Sequence, residues 1–100
     1  MTEHYIELSL SDICHAVRLQ EPAFVELVEH GIIKPMGKNR TEWCFDLTMV
    51  SIAKRAVRLH QDLELEWEAV ALIVELIEER DRLRSENEQL AQRLHRFLQY

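Results

Sequence analysis

The residues best suited to chemistry are Cys14 and His15, because a thiol beside an imidazole is a pairing used in nucleophilic catalysis. They are adjacent in sequence, and neighbouring side chains on a helix point about 100° apart, so the imidazole is badly placed to activate the thiol. A catalytic pair also needs a pocket, and nothing in the sequence pattern indicates one. We therefore predict no catalytic residues and no enzyme activity.

Metal and cofactor sites are also not predicted. The five histidines show no ligand spacing, and Cys14 and Cys44 are too far apart for a Cys-x-x-Cys motif. In a reducing compartment such cysteines are most simply small, partly buried apolar residues. Glu64, Glu66 and Glu68 lie at the start of a predicted helix, where carboxylates interact favourably with the helix dipole. We expect no bound metal and no cofactor.

Composition limits the remaining functions. One hundred residues allow one compact domain and a long helix, but no large enzyme core. The formal net charge of -6 has the wrong sign for a general nucleic-acid binder. No apolar run approaches the length of a membrane span, and the N-terminus lacks the pattern of a secretion signal. We expect a cytoplasmic protein that does not contact membranes.

The last third of the chain, residues 66–100, contains neither Gly nor Pro and is predicted to form one helix about 50 Å long. Apolar residues recur on it with the seven-residue period of a coiled coil. The predicted dimer seam consists of Ile73, Leu76, Leu83, Asn87, Leu90, Leu94 and Phe97, with Arg80 at the remaining position. A second copy of the chain is expected to cover this seam. The alternative is a helix that folds back on its own domain.

Residues 1–65 are predicted to form a winged helix-turn-helix module. Ser9 and Asp12 match a helix-capping pattern, and Pro22 suits the first turn of a second helix that Gly31 ends. A short strand is predicted at residues 5–8, and alternation over residues 42–45 predicts a small β hairpin as the wing. Asp46 is expected to cap a third helix that runs to about His60.

The order of these elements resembles that of the MerR-like regulators, and residues 30–35 (HGIIKP) are similar to the segment after their second helix. The whole chain is closer still to one branch of them, the CbpM chaperone-modulator family. The segments that carry this second resemblance are residues 43–46, 55–59, 65–67, 86–88, 93–94 and 96–97.

The resemblance implies a mainly α fold and a function. Members of the family bind the J-domain of the DnaJ-like co-chaperone CbpA, and thereby inhibit its work with the Hsp70 chaperone DnaK and its DNA binding. The MerR-like fold also implies an antiparallel pair of dimer helices, whereas Asn87 in the seam favours a parallel pair. Both orientations stay open, and the family resemblance favours the antiparallel one.

A MerR-like DNA-binding regulator is the alternative function, and charge disfavours it. Residues 21–30 contain three carboxylates and no Lys or Arg, and the Arg and Tyr that MerR-like regulators carry there fall at about Val25 and Glu26. An acidic helix instead suits a basic protein surface, such as the second helix of a J-domain. The candidate partner-binding residues are Glu21, Val25, Glu26 and Glu29. Six basic residues remain as candidate phosphate contacts: Lys34, Lys38, Arg40, Lys54, Arg55 and Arg58.

Overall fold

The computed structural model describes residues 6–99 and shows four α-helices in chain order. The helices are α1 (Leu10–Val17), α2 (Glu21–Glu29), α3 (Leu47–Asp62) and α4 (Trp67–Leu98). The α1 helix packs against α2 and α3, and α3 packs against α4. The prediction of a mainly α fold is confirmed.

Local signals start and stop the first two helices. The Ser9 hydroxyl accepts a hydrogen bond from the Asp12 amide (3.0 Å), and the Asp12 carboxylate accepts one from the Ser9 amide (3.1 Å), which satisfies two amides at the helix start. The turn after α1 places Arg18 in the left-handed region (φ 57°). A residue with a Cβ is strained in that conformation, and many such turns use Gly there. Gly31, which follows α2, adopts the same left-handed region (φ 76°) without strain, because glycine has no Cβ.

The predicted β hairpin is wrong: no strand forms among residues 6–99. Asn39 caps a single 3-10 turn, Arg40–Glu42, which uses the residues that would lengthen the hairpin. Two isolated bridges remain, between Met36 and Cys44 and between Leu8 and Phe45. The wing is therefore a compact loop. Of the strand predicted at residues 5–8, only Leu8 pairs, and Tyr5 lies outside the described residues.

The core is formed by all four helices and by the segment between α2 and α3. The ring of Phe45 is fully buried and packs edge-on against Phe24, with 5.4 Å between ring centroids. The first turns of α4 contribute Trp67, Val70 and Val74 to the same core. This burial fixes the direction in which α4 leaves the module.

The link between α3 and α4 is held by His60. Its ring stacks on Trp67 (3.9 Å between centroids, 9° between planes), and its Nδ1 lies 2.6 Å from the Leu65 carbonyl oxygen. Because a carbonyl oxygen only accepts hydrogen bonds, Nδ1 carries the proton in this contact. The last turns of α3 and the first turn of α4 are thereby tied together.

Candidate interaction surfaces

The acidic face of α2 is the first candidate surface, and we define it as Glu21, Val25, Glu26 and Glu29. These four residues fall within one half of the helix wheel, opposite the buried Phe24 and Leu27. The three carboxylates are exposed and Val25 is half-buried. The structure therefore brings the predicted residues together on one side of α2.

Glu21 differs from the other two glutamates of this face. Its carboxylate accepts a hydrogen bond from the Arg40 guanidinium at 3.0 Å, and both side chains are about half exposed. This ion pair connects α2 to the wing loop across 19 positions of sequence. Glu26 and Glu29 have no such pair among the described residues, so they are the carboxylates free to meet a partner.

The basic residues do not form one surface. Arg40 is neutralised by Glu21, and Lys34 and Lys38 lie on the loop around it. Lys54, Arg55 and Arg58 are exposed on α3, and within residues 6–99 none of them has an ion-pair partner. The α3 helix therefore presents a positive surface of its own.

The seam of α4 is exposed along the helix. Leu83, Leu90 and Phe97 are 51%, 59% and 75% exposed, and Leu76 and Leu94 are exposed to a similar degree. Asn87 is exposed and Ile73 is half-buried. Leu72, which the heptad pattern did not include, lies on the same side at 56% exposure. A helix folded back on its own domain would bury these residues, so that alternative is wrong for the described chain.

The start of α4 is apolar on two opposite sides. Trp67, Val70 and Val74 face the core of the module, whereas Leu72 and Leu76 lie about half a turn around the helix and are exposed. One apolar side is used within the chain and the other is left uncovered. An uncovered stripe of this length is typical of a protein–protein contact.

The described residues offer little support for a catalytic or a metal-binding site. Cys14 is buried, and burial raises the pKa of its thiol. The negative charge of Glu21 also raises this pKa, whereas the positive charge of Arg40 opposes the shift. A thiol that stays protonated is a poor nucleophile. Among residues 6–99, no three His, Cys, Asp or Glu side chains lie close enough to hold a metal ion. Within the same residues, no helix has the length and apolar character needed to cross a membrane.

Comparison with known proteins agrees with the helical fold. Residues 8–92 match the family described as MerR HTH family regulatory protein. The chain is 49% identical to the chaperone modulatory protein CbpM of Pseudomonas entomophila (strain L48), over 94% of this chain and 93% of that protein.

Proteins of the same name in other bacteria show the same full-length similarity. The relative in Pseudomonas putida (strain W619) is 48% identical, and the relative in Salmonella paratyphi A is 36% identical over 95% of this chain and 94% of its own length. With similarity of this extent, the chain belongs to the CbpM chaperone-modulator family, within the MerR-like helix-turn-helix proteins.

Proposed function

We propose that the protein is an inhibitor of a DnaJ-like co-chaperone, the CbpA type, and that it acts by binding the J-domain of that co-chaperone. The observation that carries the proposal is full-length similarity to proteins named chaperone modulatory protein, in a chain whose second helix is acidic and exposed. Inhibition would need no chemistry. The modulator covers the surface that the Hsp70 DnaK requires, and one protein displaces the other by mass action.

The acidic face of α2 is the surface that we assign to this contact. J-domains carry basic residues on their second helix, which the Hsp70 also uses, so carboxylates on α2 complement it in charge. Such complementarity raises the rate of association and fixes orientation more than it adds affinity. Val25, between the carboxylates, provides a small apolar contact that a partner can bury.

We further propose that the protein acts as a homodimer in the cytoplasm. The exposed stripe on α4 supports the dimer, because burying it against a second copy removes large exposed leucine and phenylalanine side chains from water. A dimer carries two α2 faces, so it can engage two J-domains or one dimeric co-chaperone. The two J-domain contacts would then reinforce each other through a high effective concentration.

DNA binding remains the second candidate function, supported by Lys54, Arg55 and Arg58 of α3, which are exposed and have no ion-pair partner in the described part of the chain. Against it stands the acidic α2, which occupies the position of the recognition helix in a helix-turn-helix. A gel shift at low salt tests it, because non-specific DNA affinity is highest there. Retarded DNA at low micromolar protein would favour the regulator over the co-chaperone inhibitor.

The test of the co-chaperone proposal is a J-domain titration with Glu26→Lys/Glu29→Lys. Glu21 is left unchanged, because reversing it would also place a lysine against Arg40 and disturb the wing loop. Binding of the unmodified protein should weaken as salt rises, because salt screens exposed charges. We expect the double reversal to weaken J-domain binding by about 1–2 kcal/mol and to remove this weakening with rising salt.

The matched control is Asp62→Lys/Glu88→Lys, which changes the net charge equally at exposed positions outside α2. It should bind the J-domain as the unmodified protein does. If the α2 variant and the control bind equally well, the acidic face is not the contact. If the unmodified protein binds no J-domain, the proposed function itself fails.

A further inference from the structure

A groove of about 580 Å³ lies between α4, the start of α3 and the segment that follows α2. Its floor is apolar, because Ile33 and Val74 are buried there and Met49 is half-buried. The volume is within the range of clefts that hold ligands in proteins. None of the four residues of the acidic face of α2 lines this groove, so the two surfaces are separate.

The groove lies on the side of α4 that faces away from the predicted seam. At about 100° per residue, Ala71, Glu75 and Glu78 fall within about 60° of one another on the helix wheel. Their side of the helix is roughly opposite Ile73 and Leu76, which begin the seam. A second copy that covers the seam therefore leaves the groove open to another partner.

The α4 side of the groove carries negative charge that the chain does not neutralise. Glu75 and Glu78 line it, and neither has an ion-pair partner in the described part of the chain. Asp46 also lines the groove, but its carboxylate accepts a hydrogen bond from the Met49 amide (3.0 Å) and caps α3. Lys34 lines the side formed by the segment after α2. A complementary partner therefore brings positive charge to the α4 side alone.

The backbone around the groove favours a helical partner over an extended one. An extended segment needs a strand edge for its amides and carbonyls, and no strand forms in the described chain. On the segment after α2, the amides of Gly31, Ile32 and Ile33 already donate to the carbonyl oxygens of Leu27 and Val28. A helix satisfies its own backbone and needs only side-chain contacts from the groove.

We propose that this groove binds an amphipathic helix of a partner protein, with apolar side chains on the floor and Lys or Arg beside Glu75 and Glu78. This partner is distinct from the co-chaperone that we assign to the acidic face of α2, so the inference goes beyond the proposed function. A protein with both contacts holds a co-chaperone and a second helical partner together.

The experiment measures the binding of fluorescent helical peptides to the full-length protein by anisotropy. The probe peptide has leucines along one side, lysines on one flank of that side and glutamines on the other flank. One control peptide has Glu in place of every Lys, and a second has Gln in place of every Leu. We expect the probe to bind at least about tenfold more tightly than either control, because the groove offers both an apolar floor and unpaired carboxylates.

Charge reversal on the protein tests where the probe binds. Glu75→Lys/Glu78→Lys should weaken binding of the probe by about tenfold and should make the Glu peptide the tighter ligand. This reversed preference also shows that the variant is folded. Asp62→Lys/Glu88→Lys makes the same charge change outside the groove and should bind the probe as the unmodified protein does.

Several results would overturn the proposal. Equal affinity for the three peptides would show that the groove does not select an amphipathic basic helix. Loss of probe binding in Glu26→Lys/Glu29→Lys, with the groove variant unaffected, would move the contact to α2. Displacement of the probe by a saturating J-domain would assign the groove to the co-chaperone and remove the second partner. A protein that binds no J-domain but still selects the probe would contradict the proposed function and leave the groove contact standing.

Discussion

Replacing Leu83 and Leu90 by Asp should convert the protein to monomers. Complete burial of a leucine side chain is worth about 1.5–3 kcal/mol. These two are 51% and 59% exposed, so a second copy can bury roughly half of each side chain, about 1 kcal/mol per leucine. Four leucines per dimer give about 4 kcal/mol. A carboxylate forced into an apolar layer adds several kcal/mol more.

A loss of this size weakens association by about a thousandfold or more. Sedimentation velocity over a wide range of concentrations measures it directly. Tryptophan fluorescence reports on the module, because Trp67 lies in its core and should keep its environment in the monomer. We expect the same emission spectrum and a lower sedimentation coefficient.

Leu47→Asp is the matched control for this experiment. Leu47 is 53% exposed, like the seam leucines, but it lies at the start of α3, where an added carboxylate is favourable to the helix dipole. The control should remain dimeric. The seam argument is refuted if the unmodified protein sediments as a monomer, or if the double aspartate variant sediments as a dimer at the same concentrations.

Three further predictions test the relative orientation of the two α4 helices in the dimer and two positions with positive φ. In a background without the native cysteines, Leu94→Cys should give little disulfide-linked dimer, because only a parallel pair places residue 94 against its twin; efficient crosslinking would contradict the antiparallel arrangement. Gly37→Ala should lower the free energy of unfolding by about 1–3 kcal/mol in urea melts, because φ is +109° and the new Cβ would lie 2.4 Å from the Glu42 carbonyl oxygen. Arg18→Gly should raise the free energy of unfolding by about 0.5–1 kcal/mol, since it relieves a left-handed residue, and an unchanged thermal midpoint would argue against strain there.

Much of the helical structure was predictable from the sequence, because its signals are local. Ser9 with Asp12, Pro22, Gly31 and Asp46 each act on amides or torsion angles within a few residues, so their effect can be read from spacing alone. The seven-residue repeat of α4 is likewise a property of one helix. It predicted an apolar stripe that the structure places at the surface.

The wing could not be predicted correctly, because hairpin pairing depends on residues distant in sequence. The alternation over residues 42–45 is real, but Phe45 pairs with Leu8 while Cys44 pairs with Met36. Asn39 and the 3-10 turn accept hydrogen bonds from the amides of Glu42 and Trp43, which would otherwise be free to pair in a hairpin. Which partner an extended residue takes depends on how the whole chain folds.

The tertiary structure also decided which charges and apolar faces are available. Sequence alone assigned Glu21, Glu26 and Glu29 to one group, but the approach of Arg40 neutralises only the first of them. Both apolar sides of early α4 are visible in the sequence, yet packing against α3 buries only the side of Trp67, Val70 and Val74. A repeat records which positions are apolar, whereas the arrangement of neighbouring elements determines which of them the chain covers itself and which it leaves for another chain.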